Sequence, residues 1–75
     1  MKKLPVITGY DAIKTLRKAG FIPTCQKGSH VRLKKIEDSK TIKITVPVHG
    51  TLKKGTLSRI IKDAGLTKDE FLRLL

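Results

Sequence analysis

Residues 41–48, Thr-Ile-Lys-Ile-Thr-Val-Pro-Val, alternate polar and apolar side chains almost without a break. A period of two marks a strand with one buried face and one wet face. Ile42, Ile44, Val46 and Val48 take the buried side; Lys43, Thr45 and Pro47 take the other. Such a strand cannot stand alone. It needs neighbours to pair with and a layer to cover its apolar side. The rest of the chain must supply both.

The neighbours come first in the chain. Phe21 to Gln26 and Ser29 to Lys35 read as two further strands. Lys27-Gly28 is the turn signal between them, and the polar run Glu37-Asp38-Ser39-Lys40 leads into the third strand. Pro23 lacks a backbone donor and places the first strand at an edge. Helices supply the cover. Thr8 is a candidate N-cap for a helix from about Tyr10 to Ala19, with Asp11 in the capping-box position and Gly20 as its stop. Ile13, Leu16 and Ala19 or Gly20 mark its apolar side. Leu57, Ile60, Ile61 and Ala64 form one stripe on a second helix, from about Thr56 to Ala64, which Gly65 ends. Thr67 and Glu70 form another capping box, opening a third helix from about Lys68 to Leu75. The expected order is α-β-β-β-α-α. This is an α+β fold, with an antiparallel three-stranded sheet covered by helices on one face and open to water on the other.

At 75 residues the chain has room for one domain, spanning 1–75. Cys25 is its only cysteine, so no internal disulfide forms and a reducing cytoplasm suits it. Cys25 itself reads as a small, half-buried strand residue. No stretch approaches the ~20 apolar residues of a membrane span. Met1-Lys2-Lys3-Leu4-Pro5 has no apolar region behind its lysines, so a signal peptide is not expected. Lys and Arg number 17 against 6 Asp and Glu, a net charge of +11. The natural partner of so dense a field is a polyanion. The basic residues lie on strands and turns as well as helices, which disfavours a membrane-surface helix and favours nucleic acid.

Parity along the second strand sends Val31 and Leu33 to the core and His30, Arg32 and Lys34 to the open face. Lys43, Thr45 and Pro47 join them from the third strand, with His49 next in the same register. A simple hairpin sets His30 across from Thr45 or Pro47. The open face thus gathers a histidine, several cations and a hydroxyl, and no acid. Metal-dependent nucleases hold their ions with clustered carboxylates. Here Asp11, Glu37, Asp38, Asp63, Asp69 and Glu70 sit at helix ends and a turn and do not converge. Two His and one Cys do not make a zinc site. Ser29 and His30 are strand neighbours pointing to opposite faces, so they are not a nucleophile and base. Neither a metal nor another cofactor is expected.

Metal-free RNA cleavage is compatible with this set. RNA carries its own nucleophile, the 2′-OH, and a histidine can move protons at neutral pH. Lys and Arg can stabilise charge in the transition state. From the residues alone, a non-catalytic RNA-binding module and a basic adaptor for an acidic protein remain open beside this reading. Lys27, Arg32, Lys34 and Lys43 are candidate phosphate contacts. Lys53 and Lys54 precede a helix N-terminus, which favours phosphate. Ser29 is expected to satisfy the hairpin backbone with its hydroxyl, and counts with Lys27 among the candidate RNA-binding residues. His49 reads as a structural or RNA-contacting residue, with a directly catalytic role as the lesser alternative. Of the aromatics, Phe21 and Phe71 read as buried, so no base-stacking platform is expected, and affinity should fall steeply with salt.

Several of these segments resemble one family. Gln26-Lys27-Gly28-Ser29-His30 carries the G-S-H motif of HicA toxins, and Thr45-Val46-Pro47-Val48-His49 resembles their T-V-P-x-H block. Lys54-Gly55-Thr56-Leu57-Ser58-Arg59-Ile60-Ile61 resembles K-G-T-L-x-x-I, Leu16 to Phe21 resembles L-x-x-x-G-F, and Ala64-Gly65-Leu66-Thr67 with Phe71-Leu72 resembles the closing turn and helix. The resemblance covers nearly the whole chain in the right order. It implies a fold similar to the double-stranded-RNA-binding domain and the activity of a ribosome-independent mRNA interferase. It places the catalytic histidine on His30, and makes a HicB-type antitoxin, covering that histidine, the protein partner. Val48 stands where a basic residue is expected, which thins the phosphate grip beside His49.

Overall fold

The computed structural model describes residues 4–75. The elements are α1 (Gly9–Lys18), β1 (Ile22–Lys27), β2 (His30–Glu37), β3 (Lys40–Pro47), α2 (Lys54–Asp63) and α3 (Lys68–Leu74). All six expected elements form, in the expected order. The strands make one antiparallel sheet, β1-β2-β3. Val31, Leu33, Ile44 and Val46 send their side chains to one side, where Leu16, Phe21, Leu57, Ile60, Ile61 and Phe71 close the core over them. The fold is α+β, with its apolar sheet face covered.

The helix starts behave as their sequences dictate. Thr8 accepts from the Asp11 N–H at 3.2 Å, and the Asp11 carboxylate accepts from the Thr8 N–H at 3.2 Å. Thr67 and Glu70 make the same reciprocal pair at 3.1 and 3.0 Å. Each box satisfies amides that the helix itself leaves unpaired. The buried side of α1 differs from expectation. It runs through Gly9, Ala12, Thr15 and Leu16, while Ile13 and Ala19 only flank the core. Thr15 can enter the core because its hydroxyl donates back to the Asp11 carbonyl at 2.8 Å, leaving no unpaired polar atom. The second helix starts two residues early, at Lys54, with Lys53 as its N-cap, because the Leu57 N–H already bonds the Lys53 carbonyl at 2.9 Å.

Both hairpin turns fall one residue later than, or inside, the expected runs. Lys27 pairs with His30, so Gly28-Ser29 is the first turn rather than Lys27-Gly28. Gly28 takes φ +61° there, a conformation glycine adopts without strain. The second strand runs past Lys35 to Glu37, which pairs with Lys40. Asp38 and Ser39 make that turn with φ +49° and +67°, the two left-handed residues of a type I′ turn. Asp tolerates this; Ser does so less well. Ser39→Gly is therefore expected to stabilise the fold by about 0.5–1 kcal/mol, the relief of strain less the extra entropy of glycine. The check is a urea denaturation midpoint at unchanged slope, and an unmoved or lowered midpoint would contradict it.

A contact absent from the sequence reading locks the end of β3. The Leu52 N–H donates to the Ile7 carbonyl at 2.8 Å, and Thr8 bridges to Thr51. Gly9, the first residue of α1, lies against the backbone of Pro47 and Val48. A methyl group on it would overlap the Pro47 carbonyl oxygen and sit 2.8 Å from the Val48 Cα. The first turn of α1 is thus seated directly on the chain that leaves β3.

Candidate functional site

The open sheet face is a small grid. Its first row is Lys27, His30 and Pro47; its second is Cys25, Arg32 and Thr45; its third is Ile22, Lys34 and Lys43. A fourth holds Ile36 opposite Thr41. His30, Arg32 and Lys34 are exposed while Val31 and Leu33 between them are buried, as parity required. Lys43 and Thr45 are exposed on β3 in the same way. Of the two partners open to His30, the register selects Pro47.

β1 reaches this grid by an irregularity. Pro23 pairs with Leu33 and Cys25 with Arg32, so Thr24 is an extra residue in the strand, a β-bulge. The Thr24 hydroxyl donates to the Arg32 carbonyl at 3.3 Å across it. The bulge resolves a conflict. Phe21 is buried at 2% exposure, and Lys27 stands beside His30 on the wet face. They are six residues apart, and in a regular strand an even spacing puts both on one face. One extra residue lets Phe21 go in and Lys27 stay out. It also turns Cys25 to the open face. Cys25 is exposed, not half-buried as expected, because no layer covers β1 there.

The two histidines meet at the end of the grid. β3 ends at Pro47, but the Val48 N–H still donates to the Ser29 carbonyl at 2.7 Å, so pairing continues one step beyond it. His49 follows, exposed, with its ring centroid 6.3 Å from that of His30 and tilted by 58°. Sequence parity placed His49 at the strand end on the correct face. It did not give this proximity. Ser29 acts in the turn through its carbonyl, not its hydroxyl as expected; the side-chain bond at this turn is from Gln26 Nε2 to the Gly28 carbonyl, 3.2 Å.

Beyond His49 the chain passes to α2. A depression lined by Pro47, His49, Thr51, Leu52, Lys53 and Thr56 joins His49 to the start of that helix. Lys53 is the N-cap and Lys54 the first helical residue; both are exposed, no side chain caps the end, and its first turn carries no acid. Free amides, two ammonium groups and the positive end of the helix dipole coincide there.

The acids are engaged elsewhere. Asp11 and Glu70 serve the capping boxes, Glu37 lies 3.8 Å from Lys35, and Asp63 lies 3.9 Å from Arg59. No three His, Cys, Asp or Glu side chains converge among the described residues. Phe21 and Phe71 are buried as expected, and Tyr10 is exposed at 59%. No helix among the described residues is long and apolar enough to cross a membrane.

Fold and face together define a small, strongly basic α+β domain that presents paired imidazoles in a cationic field. The family model described as the HicA toxin of bacterial toxin–antitoxin systems matches residues 9–66. The chain belongs to the HicA toxin family. No curated protein matches it.

Proposed function

We propose that this toxin is a metal-independent endoribonuclease that cleaves mRNA with His30 as a general acid/base, in the cytoplasm, under the control of a HicB-type antitoxin. The observation that carries the reading is the position of His30. It is exposed on a face without carboxylates, with Lys27 paired on one side and Pro47 on the other, and with His49 6.3 Å away.

The chemistry follows from that surrounding. The 2′-OH of RNA attacks the adjacent phosphorus. The imidazole shuttles the protons that this exchange requires, and nearby cations steady the additional charge on the phosphorus oxygens. Lys27 and Arg32 flank His30 and are suited to the scissile phosphate or its neighbour. Lys34 and Lys43 stand opposite each other two rows away and suit a phosphate further along the strand. Lys53 and Lys54 suit one on the side of His49. Ser29 contributes by shaping the turn. With no Phe, Tyr or Trp on the grid, recognition rests on phosphates and 2′-OH groups, and base preference is modest.

Two measurements check this. The first is cleavage of a labelled mRNA in excess EDTA. Cutting that continues supports the reading. Cutting that requires added divalent ion overturns metal independence, and binding without cutting under all conditions leaves an RNA-binding module. The second is salt dependence. Lys34→Gln and Lys43→Gln are each expected to weaken RNA binding uniformly across sequences and to reduce the slope of log affinity against log salt by about 1. A sequence-selective loss with an unchanged slope would mean that these lysines read bases.

A further inference from the structure

We infer that His49 is a second catalytic residue, and that His30 and His49 act as a pair, one removing the proton from the 2′-oxygen and the other protonating the departing 5′-oxygen. The inference rests on the endoribonuclease reading and adds the missing half of its proton transfer.

Geometry carries it. At 6.3 Å between centroids and a tilt of 58°, the rings neither stack nor reach each other with a hydrogen bond. A gap of this size admits one phosphodiester, with each imidazole about 2.6–3.2 Å from an oxygen of it. Both rings are exposed, and neither has another protein partner among the described residues. Both are also held. The main chain is paired at His30 with Pro47 and at Ser29 with Val48, so the segments that carry the imidazoles are tied together immediately beside each ring. A histidine serving only as a phosphate contact has no need of a backbone pairing that keeps its segment beside the one carrying His30. The chemistry has need of it, because attack and departure occur on opposite sides of one phosphorus atom.

The step balances. The base takes the proton of the 2′-OH. The O2′–P bond forms as the P–O5′ bond breaks, and the acid gives its proton to O5′. The products are a 2′,3′-cyclic phosphate and a 5′-OH. One imidazole ends protonated and the other neutral, and exchange with solvent restores both.

The test uses two RNAs of one sequence, the second carrying sulfur in place of the bridging 5′-oxygen at the mapped cut. A thiolate leaves without protonation, so this substrate bypasses the acid and not the base. His49→Gln is expected to lose about 10²–10⁴-fold on ordinary RNA while binding it as the wild type does. On the sulfur RNA, one of His49→Gln and His30→Gln should regain the wild-type rate and the other should stay slow; the one rescued identifies the acid. The pair is overturned if His49→Gln cuts ordinary RNA within about threefold of wild type, a loss well below that of a positioned acid or base. It is equally overturned if neither variant is rescued, or if both are. Should the wild type cut neither RNA, the endoribonuclease reading itself falls. A wild type that cuts beside a competent His49→Gln removes only the second histidine.

Discussion

His30→Gln is expected to lower single-turnover RNA cleavage by about 10²–10⁴-fold, the contribution of a positioned proton-transfer group. RNA affinity should change little. Glutamine keeps an amide that can donate to phosphate but cannot carry a proton through the reaction. Because His30 is exposed and makes no hydrogen bond to the protein among the described residues, its removal leaves no buried partner stranded. The denaturation midpoint should therefore stay where it is, which separates a chemical defect from a folding defect. Cleavage rate, dissociation constant and midpoint are measured on the same preparation. A cleavage loss below about tenfold, far short of the range for general acid–base groups, would remove His30 from the proton transfer.

Gly9→Ala is expected to be the most damaging single-methyl change in the chain. The added carbon meets main-chain atoms of Pro47 and Val48, which cannot swing aside as a flexible side chain could. Overpacking of this kind typically costs about 1–3 kcal/mol, and more where the backbone must move. A domain of this length has only about 4–11 kcal/mol in hand. What survives folded must push α1 away from the end of β3, and with it the segment that sets His49 beside His30. The variant should thus lose cleavage even under conditions where it remains folded. Gly55→Ala is the matched control. Gly55 lies in the first turn of α2 with open space where a methyl would go, so alanine should stabilise by up to about 1 kcal/mol. Urea midpoints of the two variants moving in opposite directions would confirm the account; a Gly9→Ala midpoint equal to that of the wild type would refute it.

Much of this was legible because the relevant signals are local. The alternation of Ile42 to Val48 specified the buried face of β3, and the pairing of β2 with it then fixed where His30, Arg32 and Lys34 point. Thr8 with Asp11, and Thr67 with Glu70, announced two helix starts that the structure forms as written. The features that escaped depend on distant contacts. Gly9 carries no local mark of its role, since what excludes a side chain there is the backbone of residues 47 and 48. Thr15 carries no local mark of burial, since its bond to the Asp11 carbonyl exists only once the helix does. Cys25 reads as half-buried because a free cysteine usually packs as a small hydrophobe, but no layer covers β1 there and the bulge at Thr24 turns it to the open face. One clue was present: Phe21 and Lys27, one certain to be buried and one certain to be wet, stand an even number of residues apart.

The extra residue in β1 gives the gene a place where it can lose a codon at little cost. With Thr24 removed, Pro23 still meets Leu33, Cys25 still meets Arg32 and Lys27 still meets His30, so no side chain changes sides. The same loss anywhere from Val31 to Leu33 would invert one part of β2 relative to the other, separating His30 from Lys34 or turning a core residue into water. In a scan of single-codon deletions read out by growth arrest, position 24 should stand out from its strand as the tolerated gap. A deletion there that abolished toxicity while neighbouring ones spared it would show that the irregularity itself, and not the face it preserves, is what the strand requires.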